Sequence, residues 1–414
     1  MDDSEQCQFY VKRKKRFCRM TVKQGNKYCG EHRNIDPVLG TNEDGILNVK
    51  RVECPLDPTH TCYETKLAKH LKVCNAKRVI DMQPSYIVKG INLDVNCKNP
   101  VHVPLPQLDQ SILETVLNKI NIAYKKLPTF PEAILTHEIL EDELNNTTYG
   151  KTVRKHLLQN ASLLKHLERV NLIRENTCFI EFGAGKGKLT YWLAQMIKKD
   201  SSSSIVLVDR SSHRHKSDNK LKNEDCSLGV VRIRADIADL RLSSVPEIKE
   251  FNYKVGIAKH LCGAATDLTI RCLVNSVQDK IKTHVAGLII AFCCHHRCEY
   301  ASYVGKQYLA KCGFTADEFP ILCSVASWAT CGTGLSKETR VKNSKEESKN
   351  TNLTKSSAAI QDREATGRKV KTLLNWGRVE YLQDAGFDCQ LLYYTTFDVS
   401  LENMCIIAKK HNVH

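Results

Sequence analysis

Eight cysteines and histidines near the start of the chain have the types and spacing of metal ligands. Cys54, His60, His70 and Cys74 run C-x5-H-x9-H-x3-C, four nitrogen and sulfur donors suited to tetrahedral Zn²⁺. His70 and Cys74 are one helical turn apart on a segment, 64–73, that reads as helix, so one face can present both. Pro55 and Pro58 fit a turn holding the first pair, and Cys62 reads as a bystander. Upstream, Cys7, Cys18, Cys29 and His32 run C-x10-C-x10-C-x2-H. Scattered reduced thiols are the competing reading, yet residues 1–35 hold no other core, which favours a second structural zinc. Between the first two ligands, Lys12, Arg13, Lys14, Lys15 and Arg16 are flanked by Phe9, Tyr10 and Phe17. Cations that meet phosphates beside aromatics that stack on bases make an RNA-binding candidate. A nuclear-localisation signal and a solvated charged face compete with it.

A second group of residues could hold a nucleotide-like ligand. Glu181-Phe-Gly183-Ala-Gly185-Lys-Gly187-Lys188 follows a strand and opens a helix, a turn that lets backbone amides approach a ligand closely. The next strand ends in Asp209, which can accept both ribose hydroxyls. The third ends near Asp236, placed for an adenine amino group, although Asp236 could equally cap a helix and Asp239 is a near alternative. Glu181, Gly183, Gly185, Gly187, Asp209 and Asp236 thus form the cofactor candidates; glycine turn, Asp209 and Asp236 together resemble the S-adenosylmethionine site of Rossmann-like methyltransferases, with a nicotinamide cofactor as the rival ligand. After the fourth strand come Lys259 and His260. Methyl transfer to an alcohol needs a group to take its proton, which Lys259 or His260 could do, and a desolvated lysine beside a cationic cofactor has the lowered pKa for it. The competing role for Lys259 is phosphate binding. After the fifth strand lies Cys293-Cys294-His295-His296-Arg297-Cys298, open to three readings: substrate pocket with His295 as a further catalytic candidate, a third metal site, or packed thiols.

These residues need elements to position them. Five short apolar runs, 178–182, 205–208, 230–233, 253–257 and 285–292, alternate with helical stretches, which indicates a parallel sheet covered on both faces. Helical spacing over 107–125 and 155–172 places a helical linker, or a short coiled coil, at 105–172. Zinc fingers are expected at 1–35 and 50–78, and the α/β domain at 150–412. Residues 336–366 contain no aromatic, glycine or proline and read as a disordered insertion. A helix follows at 369–382, then two strand-like runs at 389–396 and 403–408.

Composition narrows the class. A length of 414 residues suggests about three domains at roughly 150 each. The net charge of +15 attracts polyanions. The 19 cysteines in 414 residues fall below the roughly 8–10% of a disulfide scaffold and are odd in number, pointing to a reducing compartment. No signal peptide is readable at the acidic start, and the longest apolar run is far short of a membrane span. The expected setting is intracellular, nucleus or cytoplasm.

Taken together, the two ligand sets, Lys155-His156 with Gln159-Asn160-Ala-Ser162, the 181–188 turn, Lys259-His260-Leu-Cys-Gly263 through Asp267, and Cys293–Cys298 resemble the eukaryotic tRNA:m(4)X modification enzymes. That resemblance implies a Rossmann-like α/β methyltransferase domain preceded by two zinc fingers, S-adenosyl-L-methionine and two structural zinc ions as cofactors, and tRNA as partner. It implies 2'-O-methylation of nucleotide four in the acceptor stem. The rival from another class is a non-catalytic zinc-finger RNA-binding adaptor on a methyltransferase-like scaffold.

Overall fold

The computed structural model describes residues 6–11, 16–22, 24–29, 32, 51–77, 83–214, 216–224, 228–278, 284–331 and 353–410. The chain divides into two compact units, Met1–Pro84 and Ser85–His414.

The first unit has very little apolar material. Strand β1 (Tyr10–Val11) pairs antiparallel with β2 (Arg16–Phe17). Strand β3 (Arg51–Cys54) turns into β4 (Asp57–Tyr63), and helix α1 (Leu67–Val73) follows. Pro55 sits in the turn as expected, but Pro58 lies within β4. A two-stranded hairpin has only edge strands, where proline is tolerated. Around β1 and β2 the buried core consists of Cys7, Cys18 and Cys29, with Phe9, Val11, Val22 and Tyr28 packed against it. So small a core cannot offset the entropy of ordering the segment without a cross-link.

The second unit is built on a seven-stranded sheet. Its strands are β5 (Thr177–Phe182), β6 (Ser204–Asp209), β7 (Gly229–Arg234), β8 (Tyr253–Leu261), β9 (His284–Phe292), β10 (Phe387–Tyr393) and β11 (Met404–Lys410), in the order β10-β11-β9-β8-β5-β6-β7. Alternate residues of β5 enter opposite cores: Cys178, Ile180 and Phe182 on one face, Phe179 on the other. Both faces are therefore covered, which is why these strands read as unbroken apolar runs. The first five strands are parallel, as expected, while β11 runs antiparallel between β9 and β10. The sheet is thus mixed rather than wholly parallel. The segment joining β10 to β11 contains no helix, and without a crossover only an antiparallel return is available.

The helices of eight or more residues are α2 (Gln110–Tyr124), α3 (Lys151–Arg169), α4 (Lys188–Ile197), α5 (Ala264–Gln278), α6 (Phe319–Ala326) and α7 (Leu353–Asp384). Helix α2 buries Val116, Ile120 and Ala123 against Tyr303 and against residues of α6 and α7, among them Phe319 and Leu373, while its Ile112 and Ile122 stay exposed. Helix α3 buries Leu157, Ala161, Leu163, Leu164 and Leu167 in the core beneath β5, β6, β8, β9 and β11. Of the low-complexity stretch expected to be disordered, 336–352 lies outside the described residues, whereas from Leu353 the chain is helical. Ala, Gln, Arg and Glu dominate 358–365, and a helix nucleated downstream extends through such residues at little cost.

Strand order reverses between β5 and β8: β6 and β7 follow β5 on one side, and β8 begins the other. In open α/β sheets the crevice outside the carboxyl ends at such a switch point is where ligands bind.

Candidate functional site

Both ligand sets converge. The donor atoms of Cys7, Cys18, Cys29 and His32 lie within 4.8 Å of one another, as do those of Cys54, His60, His70 and Cys74. In the first set Cys18 and Cys29 Sγ are 4.0 Å apart, and His32 Nδ1 is 3.4 Å from Cys7 Sγ and 3.3 Å from Cys29 Sγ. In the second, Cys54 and Cys74 Sγ are 3.8 Å apart, with His60 Nε2 3.0 Å from His70 Nε2. Four donors around one point at these separations match a tetrahedral zinc with bonds of about 2.0–2.3 Å. Two imidazole lone pairs so close repel each other unless a cation lies between them. Asp57 Oδ2 stands 3.5 Å from His60 Nδ1, the carboxylate contact that orients a zinc-bound histidine. Cys62 is buried but outside the set. Lys12, Arg13, Lys14 and Lys15 lie outside the described residues. Their neighbour Arg16 is in β2 opposite Val11, next to the exposed cross-strand pair Tyr10 and Phe17, whose rings meet edge-on.

The metal dependence has a direct test. Chelation of full-length protein with EDTA should abolish amide-exchange protection across 51–77, because structural zinc supplies about 10–16 kcal/mol to a finger. Protection in the sheet of the second unit should persist, since its apolar core is its own. Retained protection at 51–77 in metal-free protein would contradict the assignment.

At the switch point, the chain leaves β5 through Gly183, Gly185 and Gly187, all with positive φ (62°, 53° and 69°). A Cβ on Gly185 would meet nothing nearer than Gly183 O at 4.0 Å, so this part of the turn borders open space. Asp209, at the end of β6, accepts the Gly185 N–H through Oδ2 at 2.8 Å and the Ser211 N–H through Oδ1 at 2.7 Å. His213 Nε2 stands 3.4 Å from it. The turn and the acidic strand end are thereby one unit, and Asp209 keeps lone pairs for a diol. Asp236 accepts the Ala238 N–H at 3.0 Å, with its other oxygen 3.7 Å from Arg210, so it caps the short 3₁₀ turn Ile237–Asp239. Asp239 is occupied by the Gly90 N–H at 2.7 Å. Glu181 faces inward: it is buried and accepts the N–H and hydroxyl of Thr190, tying β5 to the first turn of α4. Burial pushes its carboxyl up to about 7 against the hydrogen bonds from Thr190 and the Arg232 and Lys259 charges.

On the other flank, Lys259 near the end of β8 is buried, while His260 next to it is exposed, as the pleat requires. Lys259 Nζ donates to Asn160 Oδ1 at 2.6 Å and to the His156 carbonyl at 3.2 Å. Both partners lie on α3, one turn apart. Burial pushes the Lys259 ammonium down to about 7, offset by attraction to Glu181 and reinforced by Lys188. Asn160 was legible only as part of a motif. No local spacing links it to a lysine 99 residues away.

His295 occupies a buried network. Its Nε2–H donates to Asn375 Oδ1 at 2.7 Å, and the same oxygen accepts from Arg378 at 2.9 Å. Arg378 forms a fork with Asp267 (3.0 and 2.8 Å) and donates to Cys298 Sγ at 3.2 Å. Arg378 and Asp267 side chains are 1% and 0% exposed, so each is the other's compensation for lost water. His295 is held neutral by burial, with Arg378 and Lys371 adding to the effect. Its ring therefore braces the segment after β9. Cys293 and Cys294 instead gather with Cys262.

Comparison with known proteins places this geometry in context. The profile of the family described as Methyltransferase TRM13 matches residues 158–409, that of the CCCH zinc finger in TRM13 protein matches 5–33, and that of the U11-48K-like CHHC zinc finger matches 51–75. The chain is 35% identical to the tRNA:m(4)X modification enzyme TRM13 homolog of Mus musculus, over 97% of this chain and 94% of that protein. It is 31% identical to tRNA:m(4)X modification enzyme TRM13 of Vanderwaltozyma polyspora, over 97% of each. Among solved structures, coclaurine N-methyltransferase bound to N-methylheliamine and SAH aligns with a TM-score of 0.29 at 12% identity, covering 73% of this chain and 87% of that one.

Proposed function

Because the chain belongs to the TRM13 methyltransferase family and carries that family's CCCH and CHHC zinc fingers, we propose that it methylates the ribose 2'-hydroxyl of nucleotide four in the tRNA acceptor stem. The observation that carries the reading is the buried Lys259 amine, fixed by two acceptors at the carboxyl end of β8. When bound, S-adenosyl-L-methionine supplies an electrophilic methyl group. Gly183, Gly185 and Gly187 would admit its backbone-facing parts, Asp209 would accept its ribose hydroxyls, and Asp236 would lie near its adenine.

A ribose hydroxyl is a weak acid, so the residue beside it must bind a proton as the new bond forms. A neutral lysine amine has two N–H bonds and one lone pair. Asn160 Oδ1 and the His156 carbonyl take the two N–H bonds, leaving the lone pair for the hydroxyl proton. With its ammonium pushed down to about 7, Lys259 is neutral in a large fraction of molecules at neutral pH. His260 is exposed at the same strand end and can contact the substrate.

A duplex target fits this arrangement, since A-form RNA displays its 2'-hydroxyls in a wide, shallow minor groove. The fingers, with Arg16 and the cluster 12–15, would contribute phosphate contacts that set register. Among the described residues no helix is long and apolar enough to cross a membrane. We place the protein's work in the nucleus or cytoplasm, where tRNA is accessible and thiols stay reduced.

The experiment is transfer of labelled methyl to unmodified tRNA transcripts, followed by complete alkaline hydrolysis. A methylated 2'-oxygen cannot attack its neighbouring phosphate, so the expected label is in an alkali-resistant dinucleotide from positions four and five. Label in mononucleotides would mean base methylation. Absence of label with tight tRNA binding would favour an adaptor.

A further inference from the structure

A cluster of three sulfurs remains unused by the mechanism. Cys262 follows β8, and Cys293 and Cys294 follow β9, the neighbouring parallel strand. Cys262 Sγ lies 3.4 Å from each of the other two, which are 3.5 Å from each other. The backbone is shaped to permit this. Gly263 adopts φ 59°, its N–H donates to the Cys294 carbonyl at 3.1 Å, and a Cβ there would strike the Arg297 carbonyl oxygen at 2.1 Å. Only glycine lets the two segments close so tightly.

We propose that Cys262, Cys293 and Cys294 form a third metal site, binding one Zn²⁺ through three thiolates. An ion with bonds of about 2.3 Å to sulfurs so spaced would stand about 1.2 Å out of their plane, leaving a fourth position for water. A planar three-coordinate ion with the same bonds would hold the sulfurs about 4 Å apart, which argues against the planar geometry of copper(I). The sulfur pairs of the two fingers stand wider apart, at 3.8 and 4.0 Å. Such an ion would clamp the carboxyl ends of β8 and β9 together, three residues beyond Lys259. The site does not depend on which atom of tRNA is methylated.

The test is zinc content of full-length protein isolated without chelator. Wild type and the control Cys97→Ser should hold three zinc ions per chain, and the Cys262→Ser/Cys293→Ser/Cys294→Ser variant two. Peptide mapping of alkylated wild type supplies a readout free of any folding defect in the variant. The three half-buried thiols should resist iodoacetamide until EDTA is added. Two zinc ions in wild type, three in the triple variant, ready alkylation without chelator, or an intact mass showing a disulfide would each overturn the proposal.

Discussion

Lys259→Met is expected to lower kcat by about 10²–10⁴-fold, the range that a positioned general base supplies, while tRNA and cofactor affinities stay within a few fold. Methionine matches the length of the lysine stem and is apolar, so the buried space remains filled. The pH profile checks the same residue. A lysine whose pKa is pushed down to about 7 is active when it has lost its proton, so wild-type kcat/KM should rise with unit slope below pH 7 and level off above it. Glu181 interacts with Lys259, and the inflection belongs to the pair. Asn160 acts through Lys259 and is a positioning residue. Asn160→Asp puts a carboxylate 2.6 Å from the amine and should move the inflection up by about one to three units. Asn160→Ala should lower kcat about tenfold at unchanged KM for tRNA, since only one acceptor then orients the lone pair. A flat profile between pH 6 and 9, or an unmoved inflection in Asn160→Asp, would remove Lys259 from the proton path.

The second large effect concerns the glycine turn. Gly185→Arg should abolish binding of S-adenosylhomocysteine, measured by calorimetry or as a ligand-induced rise in melting temperature. Two physical reasons combine. At φ 53° any side chain costs about 1–2 kcal/mol. The new side chain also projects into the open space that borders the turn, where the ligand would lie. Asp209→Ala removes the acceptor of the Gly185 and Ser211 N–H groups as well as two prospective ribose contacts. Charged hydrogen bonds contribute about 1.5–3 kcal/mol each, so the dissociation constant should rise by about 10²–10⁴-fold. Wild-type protein without measurable affinity for the ligand would instead match the adaptor reading.

These effects sort the chain's residues by what could be known about them early. The ligand sets were legible because their spacing is local: His70 and Cys74 meet through the 3.6-residue period of one helix, and Cys54 and His60 through one hairpin. The glycine turn was legible because a strand, three glycines and a helix start follow one another directly. Asp209 was legible as the next strand's end. Five parallel strands followed from apolar runs that only a doubly covered sheet explains.

Other features depended on chain segments that no period relates. The insertion of β11 between β9 and β10 is a choice of strand order, and the helical start at Leu353 reflects a helix propagating upstream into a polar sequence. Glu181 sits at the expected place in the turn, yet only the packed structure directs it toward Thr190. His295 reads like an acid or base in sequence, and only the packed structure sets it against Asn375, where burial holds its ring neutral.

The sequence by itself therefore determined the ligand types, the two finger spacings, the α/β architecture and the turn that opens the switch point, because each is written in residues within a few positions of one another. Tertiary structure alone decided that Asn160 meets Lys259 across 99 residues, that Arg378 finds Asp267 across 111, and that three thiols after two neighbouring strands share one point. Those partners are chosen by sheet order and by which helix face is buried. Both are settled by the packing of the whole unit rather than by local propensity.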